Sequence, residues 1–210
     1  ANIAVNDNAA RKRARCAPPR PTLWDPMYGL VNKALCEMVT RGYGEATWER
    51  IRAQAGVEVE VFISMDPYPD ELTYQLVGAA SQLLGEDVER LLYVFGRHWV
   101  LDTAAQHYGH LLQAGGRSFR EFLLALPNFH TRVSLMMPQL VPPEFACTDV
   151  GERTLHLHYR SQRPGLAPFV EGLLDGLGER FHVEVRSRRV PARSDGPGHT
   201  VFDVSWSQGS

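Results

Sequence analysis

The sequence predicts an α+β protein, a helical N-terminal part followed by an antiparallel sheet with a packed helix. Two observations carry this. Up to about Met137, apolar side chains return every three or four residues, which is the helical period. After Pro142-Pro143 they alternate, the period of a strand with one buried face.

Element by element, Leu30, Val31, Ala34, Leu35 and Met38 mark a first helix, with Gly42 as its stop. Trp48 and Ile51 mark a short second helix ending near Gly56, and Val57 to Ile63 reads as a strand or an extended link. Leu72, Leu76, Ala79, Ala80 and Leu83 form another apolar stripe, closed by Gly85. Val88, Leu91, Leu92 and Phe95 begin the next helix, with Gly96 inside it or at a break. Phe119 to Met137 is long and apolar and contains Pro127; since proline suits a first helical turn, a fresh helix is expected to start there. Leu155, Leu157 and Tyr159 then alternate with His156, His158 and Arg160 as a half-buried strand. Phe169, Leu173, Leu174 and Leu177 describe a helix, Phe181, Val183 and Val185 a strand, and Val201 to Trp206 a last strand.

Residues 1–26 stand apart, with five basic and two acidic residues, four prolines and no apolar periodicity. Such a segment buries too little surface to offset its ordering entropy, and reads as a flexible basic arm or leader. Within the 210 residues, 22 Lys+Arg against 24 Asp+Glu give a net charge of −2, which argues against a nucleic-acid binder. No apolar run reaches the roughly 18 residues of a spanning helix, so no membrane partner is expected. Cys16, Cys36 and Cys147 are odd in number and widely spaced, which fits neither a disulfide framework nor a Cys-rich zinc site. No secretory signal is recognisable, and a reducing, cytoplasmic setting is expected.

Among residues that carry chemistry, His107 and His110 lie three apart on a helix and define one alternative, a metal-dependent hydrolase, although no third ligand accompanies them. His156 and His158 share the polar side of their strand. His130 differs, because it sits on the apolar stripe Phe122, Leu123, Leu126, Phe129, Val133, Met137. Burial favours the neutral imidazole, the form that ligates metal. Both a hydrogen-bonded core histidine and an axial ligand for haem iron suit that position. In Tyr159-Arg160-Ser161-Gln162-Arg163, side chains two apart on an extended chain share one face. Two hydroxyls and a guanidinium would then be aligned as a clamp for carboxylates, or else lie at an ordinary strand end.

Taken together, these segments resemble the haem–nitric oxide/oxygen binding (H-NOX) family, the sensor module of the soluble guanylate cyclase β subunit and of stand-alone bacterial proteins. The resemblance runs through Met27-Tyr28-Gly29-Leu30-Val31-Asn32-Lys33-Ala34, Gly78-Ala79-Ala80-Ser81, Phe95-Gly96, Arg120-Glu121-Phe122-Leu123 and His130. It continues through Pro143 to Cys147-Thr148-Asp149 and Leu157-His158-Tyr159-Arg160-Ser161-Gln162-Arg163 with Gly165-Leu166. It is strongest to the stand-alone bacterial type. It implies an H-NOX haem domain over residues 27–190, with 191–210 supplying a loop, the final strand of the sheet and a frayed end.

The resemblance implies haem b held by His130 as the proximal iron ligand, with Tyr159, Ser161 and Arg163 on the propionates and Pro143 pressing on the porphyrin. Asp70 would brace Arg163. On the distal side, Trp99, Val31, Leu35 and Phe169 are expected to line the gas pocket. Oxygen-binding members carry a tyrosine where this chain has Pro168 or Phe169, and neither can donate a hydrogen bond; the Trp99 indole is the one candidate donor. The function implied is a non-enzymatic gas sensor that binds NO and CO at ferrous iron. It would signal in trans to a histidine kinase or a cyclic-nucleotide enzyme, since no cyclase or kinase segment is present. An O₂ or redox sensor of the same fold is the alternative. Cys147 is expected to be a buried, inert thiol, with a regulatory role left open.

Overall fold

The computed structural model describes residues 27–137, 140–191 and 198–209. The arm at 1–26 lies outside these. The elements follow as β1 (Met27–Tyr28), α1 (Gly29–Tyr43), α2 (Glu45–Gln54), β2 (Pro67–Tyr68), α3 (Asp70–Leu84) and α4 (Val88–His98). A π-helical segment (Trp99–Ala104) leads into α5 (Ala105–Ala114) and α6 (Phe119–Met136). The remainder is β3 (Glu144–Thr148), β4 (Thr154–Arg160), α7 (Ala167–Arg180), β5 (Val183–Val190) and β6 (His199–Gln208).

Local chemistry sets most helix ends. Asp70 and Glu71 occupy the first turn of α3, where carboxylates oppose the positive end of the helix dipole. Gly85 closes α3 at φ 67°, a left-handed position that suits glycine. Asp87 caps α4 by accepting from the Glu89 N–H at 2.8 Å, and Ser118 caps α6 by accepting from the Glu121 N–H at 3.2 Å. α1 runs past Gly42, and Gly44 at φ 86° follows its end. Val57 to Ile63 forms no strand; a two-residue ladder pairs Met27 with Tyr68 and Tyr28 with Pro67 instead.

Pro127 does not begin a helix. α6 runs unbroken from Phe119 to Met136 with Pro127 inside it. The capped start at Ser118 and the buried stripe of Phe119, Phe122, Leu123 and Leu126 hold the helix through the hydrogen bond that proline removes. Gly96 lies inside α4, and helix breaking is deferred to the π-helical turns after it and to Tyr108, which has φ −133° and ψ 25°.

The main sheet has the order β3-β4-β6-β5 with every pair antiparallel. β6 is therefore interior, between β4 and β5. Leu155, Leu157 and Tyr159 of β4 and Phe202 and Val204 of β6 turn to the buried face. α7 packs between that sheet and α4. Its Gly172 lies so close that an added Cβ would sit 2.0 Å from the Tyr93 carbonyl, and a Cβ on Gly96 would sit 2.2 Å from the Phe169 carbonyl.

Two large hydrophobic cores result, beside a small cluster of Tyr28, Leu30 and Met137. One gathers Leu35, Val39, Ile51, Leu76 and Phe95 from α1 to α4, the other Phe119, Leu123, Leu157, Leu174 and Phe202 from α6, α7 and the sheet. Trp99 and Leu166 pack against both, and Phe169 against the first. No helix among the described residues is long and apolar enough to cross a membrane.

Candidate functional site

A cavity of about 530 Å³ is lined by residues of both cores. That is within the range of small-molecule and cofactor sites. Its walls are almost wholly apolar, and its polar groups converge from a few places: His130 on α6, Tyr159 at the end of β4, Ser161 and Arg163 after it, and Thr73 and Tyr74 on α3.

His130 is placed by the helical period that puts it on the stripe of Leu126 and Val133, and by its own ring chemistry. Its Nδ1 lies 3.0 Å from the Leu126 carbonyl. A carbonyl can only accept, so Nδ1 carries the proton and Nε2 keeps its lone pair, with no hydrogen-bond partner among the described residues. Burial pushes the imidazole below its ordinary pKa, with the Leu126 bond opposing, so the ring is held neutral. A neutral imidazole with one nitrogen anchored to a carbonyl is the arrangement of a metal-ligating histidine. The ring of Phe145 lies 5.0 Å away, tilted by 37°.

At the polar end, the expectation of one extended face for Tyr159, Ser161 and Arg163 is corrected. β4 ends at Arg160 and the chain then bends. All three side chains still line the cavity. The bend is held by the Ser161 N–H donating to the Gly198 carbonyl at 3.0 Å, and by the Ser161 Oγ accepting from the Arg163 N–H at 3.1 Å. Arg163 Nε donates to Asp70 Oδ2 at 2.7 Å, and its Nη1 to the Val141 carbonyl at 3.0 Å. One turn along α3 from Asp70, the Tyr74 hydroxyl donates to the Pro164 carbonyl at 3.2 Å. Burial raises the Tyr159 phenol, so it stays a donor.

Another part of the lining is aromatic. Trp99 and Phe169 meet edge to face at 6.3 Å, and Phe95 lies 6.1 Å from Trp99 and 5.3 Å from Phe169. Val31 lines the cavity with them. Leu35 does not; it is fully buried one turn further along α1, inside the first core. Pro168 is buried in the first turn of α7 outside the lining, so Phe169 is the residue presented. Pro143 lines the cavity, two residues before Phe145, whose ring packs on His130. His107 and His110 are exposed on α5, and no group of three or more metal-ligating side chains occurs among the described residues.

Tyr74 and Phe145 are site residues that sequence reasoning did not single out. The spacing of Tyr74 from Asp70, four residues on one helix, was the available signal for the first. Phe145 belongs to a strand too short to register as alternation.

These residues fit a haem. An apolar slot has one unpartnered imidazole nitrogen, a phenylalanine packed on that imidazole, a proline in its wall, and hydroxyls with a guanidinium at one end for the propionates.

Comparison with known proteins agrees. A model of the Haem-NO-binding family matches residues 28–189. Soluble guanylate cyclase gcy-31 of Caenorhabditis elegans is 30% identical over 160 residues, covering 76% of this chain but 23% of that protein. Soluble guanylate cyclase 89Db of Drosophila melanogaster is 23% identical over 184 residues, covering 87% and 28%. The chain thus spans about a quarter of these relatives' length. Among solved structures, an H-NOX protein from S. oneidensis in the Fe(II)NO ligation state superposes with a TM-score of 0.77 at 18% identity, covering 87% of this chain and 100% of that one. The Fe(II) unliganded H-NOX protein from K. algicida gives 0.75 at 22% identity, covering 87% and 98%. The α+β architecture is that of these structures, and the chain belongs to the Haem-NO-binding (H-NOX) family, whose domains are haem-binding sensors and not catalysts.

Proposed function

We propose that this protein binds one haem b through His130 and senses nitric oxide, with carbon monoxide as a second ligand, passing the signal to an effector in trans. The observation that carries this reading is the anchored imidazole, with Nδ1 tied to the Leu126 carbonyl at 3.0 Å and the residue lining an apolar cavity. Bound there, ferrous haem supplies an open coordination position for a diatomic gas.

The chain's own residues supply the rest. Tyr159, Ser161 and Arg163 bind the propionate carboxylates at the polar end. Pro143 presents a ring of fixed φ that cannot relax away from a flat ligand. Phe95, Trp99, Phe169 and Val31 exclude water from the gas side and offer no carboxylate, hydroxyl or amide. A change in the pull on His130 acts directly on α6, since Leu126 and His130 are joined within one turn. That makes α6 the element through which gas binding biases a two-state equilibrium.

The effector we infer is a histidine kinase or a cyclic-nucleotide enzyme; the guanylate cyclase names of the relatives favour the second class. A cytoplasmic setting fits free thiols at Cys36 and Cys147. One observation favours an O₂ sensor of the same fold as the second reading: the Trp99 indole lines the cavity with no hydrogen-bond partner among the described residues.

The test is an absorption spectrum of the purified ferrous protein with and without NO and CO, on the parent and on His130→Gly. The variant is expected to lose haem, or to keep it only with added imidazole. A normal spectrum in His130→Gly without imidazole would remove the axial assignment.

A further inference from the structure

Pro127 leaves a vacancy in α6. Proline has no N–H, so the Leu123 carbonyl four residues earlier loses the donor that every other residue of a helix would supply. Leu123 is fully buried, so water does not replace that donor. The Cys147 thiol does: its Sγ donates to the Leu123 carbonyl at 3.6 Å. Cys147 belongs to β3, and burial raises its pKa, keeping the sulfur protonated as the bond requires.

β3 touches α6 a second time. Phe145, two residues before Cys147 and on the same face of the strand, packs its ring against His130 at 5.0 Å and against Tyr159 at 5.4 Å. β3 is in turn registered on β4, with Phe145 opposite Tyr159 and Cys147 opposite Leu157. One short strand therefore meets the His130 helix at the imidazole and at the gap two turns before it, while hydrogen-bonded to the strand that carries Tyr159.

We infer that β3 is the positioning element for His130: the Phe145 ring fixes the rotation of the imidazole, and the Cys147 thiol closes the hydrogen-bond vacancy that Pro127 opens in α6. This rests on His130 as the iron ligand. Neither Phe145 nor Cys147 ligates iron. They act through His130, one holding its ring and the other the helix turn two turns before it.

The experiment is a double-mutant cycle on the full chain as purified, comparing Cys147→Ala, Pro127→Ala and the double variant, with Cys147→Ser as the conservative control. Alanine at 127 returns the missing N–H, so the bond lost with the thiol is then replaced from within the helix. Cys147→Ala is expected to lower the thermal midpoint by about 2–4 °C in the parent. In the Pro127→Ala background it should lower the midpoint by less than half as much, with serine restoring the parent value. In the ferrous, gas-free protein the iron–histidine stretching band should shift with Cys147→Ala, return with Cys147→Ser, and broaden with Phe145→Leu. Equal losses in both backgrounds would show that Cys147 only fills space, and would overturn the inference. An unmoved band in Phe145→Leu would overturn the role of that ring. Should His130→Gly show that this residue does not hold haem, the positioning role falls with it, whereas the midpoint cycle still reads the thiol–carbonyl bond by itself.

Discussion

Asp70 and Arg163, 93 residues apart in sequence, meet through a 2.7 Å contact in which their side chains are only 13% and 11% exposed. The pair ties the first turn of α3 to the segment that follows β4. It therefore joins the helical half of the molecule to the sheet half beside the cavity that Arg163 lines.

Arg163→Ala removes the guanidinium from the cavity and leaves Asp70 buried without it. Breaking a buried pair costs about 3–5 kcal/mol, so a fall in unfolding midpoint and faster haem transfer to an acceptor protein are both expected. Arg160→Ala, on the other side of β4, should change haem transfer little. Equal transfer rates in the two variants would remove Arg163 from the clamp. Asp70→Asn should fall between them, since it keeps an acceptor for Arg163 and loses the charge.

Gas selectivity follows from the aromatic wall. The ferrous protein is expected to bind NO and CO and to form no stable complex with O₂ in air, because O₂ depends most on a hydrogen-bond donor and Phe169 has none. A missing bond to a charged acceptor is worth about 1.5–3 kcal/mol, or one to two decades in affinity. Phe169→Tyr should gain part of that, and Trp99→Phe should leave the NO affinity nearly unchanged. A stable O₂ spectrum in the parent that Trp99→Phe abolishes would assign the donor role to Trp99.

The contact between α4 and α7 admits no side chain at two points. Gly172→Ala would bring a methyl to 2.0 Å from the Tyr93 carbonyl, and Gly96→Ala one to 2.2 Å from the Phe169 carbonyl. Neither neighbour is a flexible side chain, so the helices must part. A loss of about 1–3 kcal/mol is expected in urea unfolding. Parting should also raise CO association rates, because Phe95 and Trp99 ride on one side of that contact and Phe169 on the other. Unchanged stability in both variants would contradict the packing.

Acid sensitivity follows from His98. Burial lowers its pKa, although Asp102 at 3.1 Å opposes, and the side chain is 9% exposed. A depressed value means the unfolded chain takes up the proton first. The contribution is then complete above the unfolded pKa of about 6.5, and is lost as pH falls through the folded value. Stability of the parent should therefore decline below about pH 6.5. His98→Gln should show a shallower decline over the same window, whatever its stability at neutral pH. Parallel slopes would assign the acid effect to other groups.

Much of this was legible in the sequence, and the exceptions are physical. β4 alternates over its whole length, and β5 and β6 are long enough to carry an alternating stretch, so pattern alone locates them. β3 has five residues and one large apolar side chain, too little for a period. Pro127 carries the same local preference whether it opens a helix or interrupts one; the burial of Leu123 and Leu126 decides, and burial is tertiary. Leu35 and Val31 share a helix face by spacing, yet the cavity reaches only Val31, since the turn beyond it is filled by the core. The Tyr159-x-Ser161-x-Arg163 segment was found by its residues, although the extended geometry first read from it stops at Arg160.

The interior place of β6 has a consequence for the order in which the molecule is made. Its partners β4 and β5 are synthesised earlier, and neither pairs with the other, so both wait with open edges until His199–Gln208 emerges. Unpaired edges of this kind are where nascent chains associate wrongly. Tyr159 lies on one of those waiting strands, opposite Thr200. The polar end of the haem slot therefore acquires its final shape late in translation. A chain stopped before His199 would lose the middle of its sheet, not an edge, and would be expected to accumulate as aggregate and not as a smaller sensor.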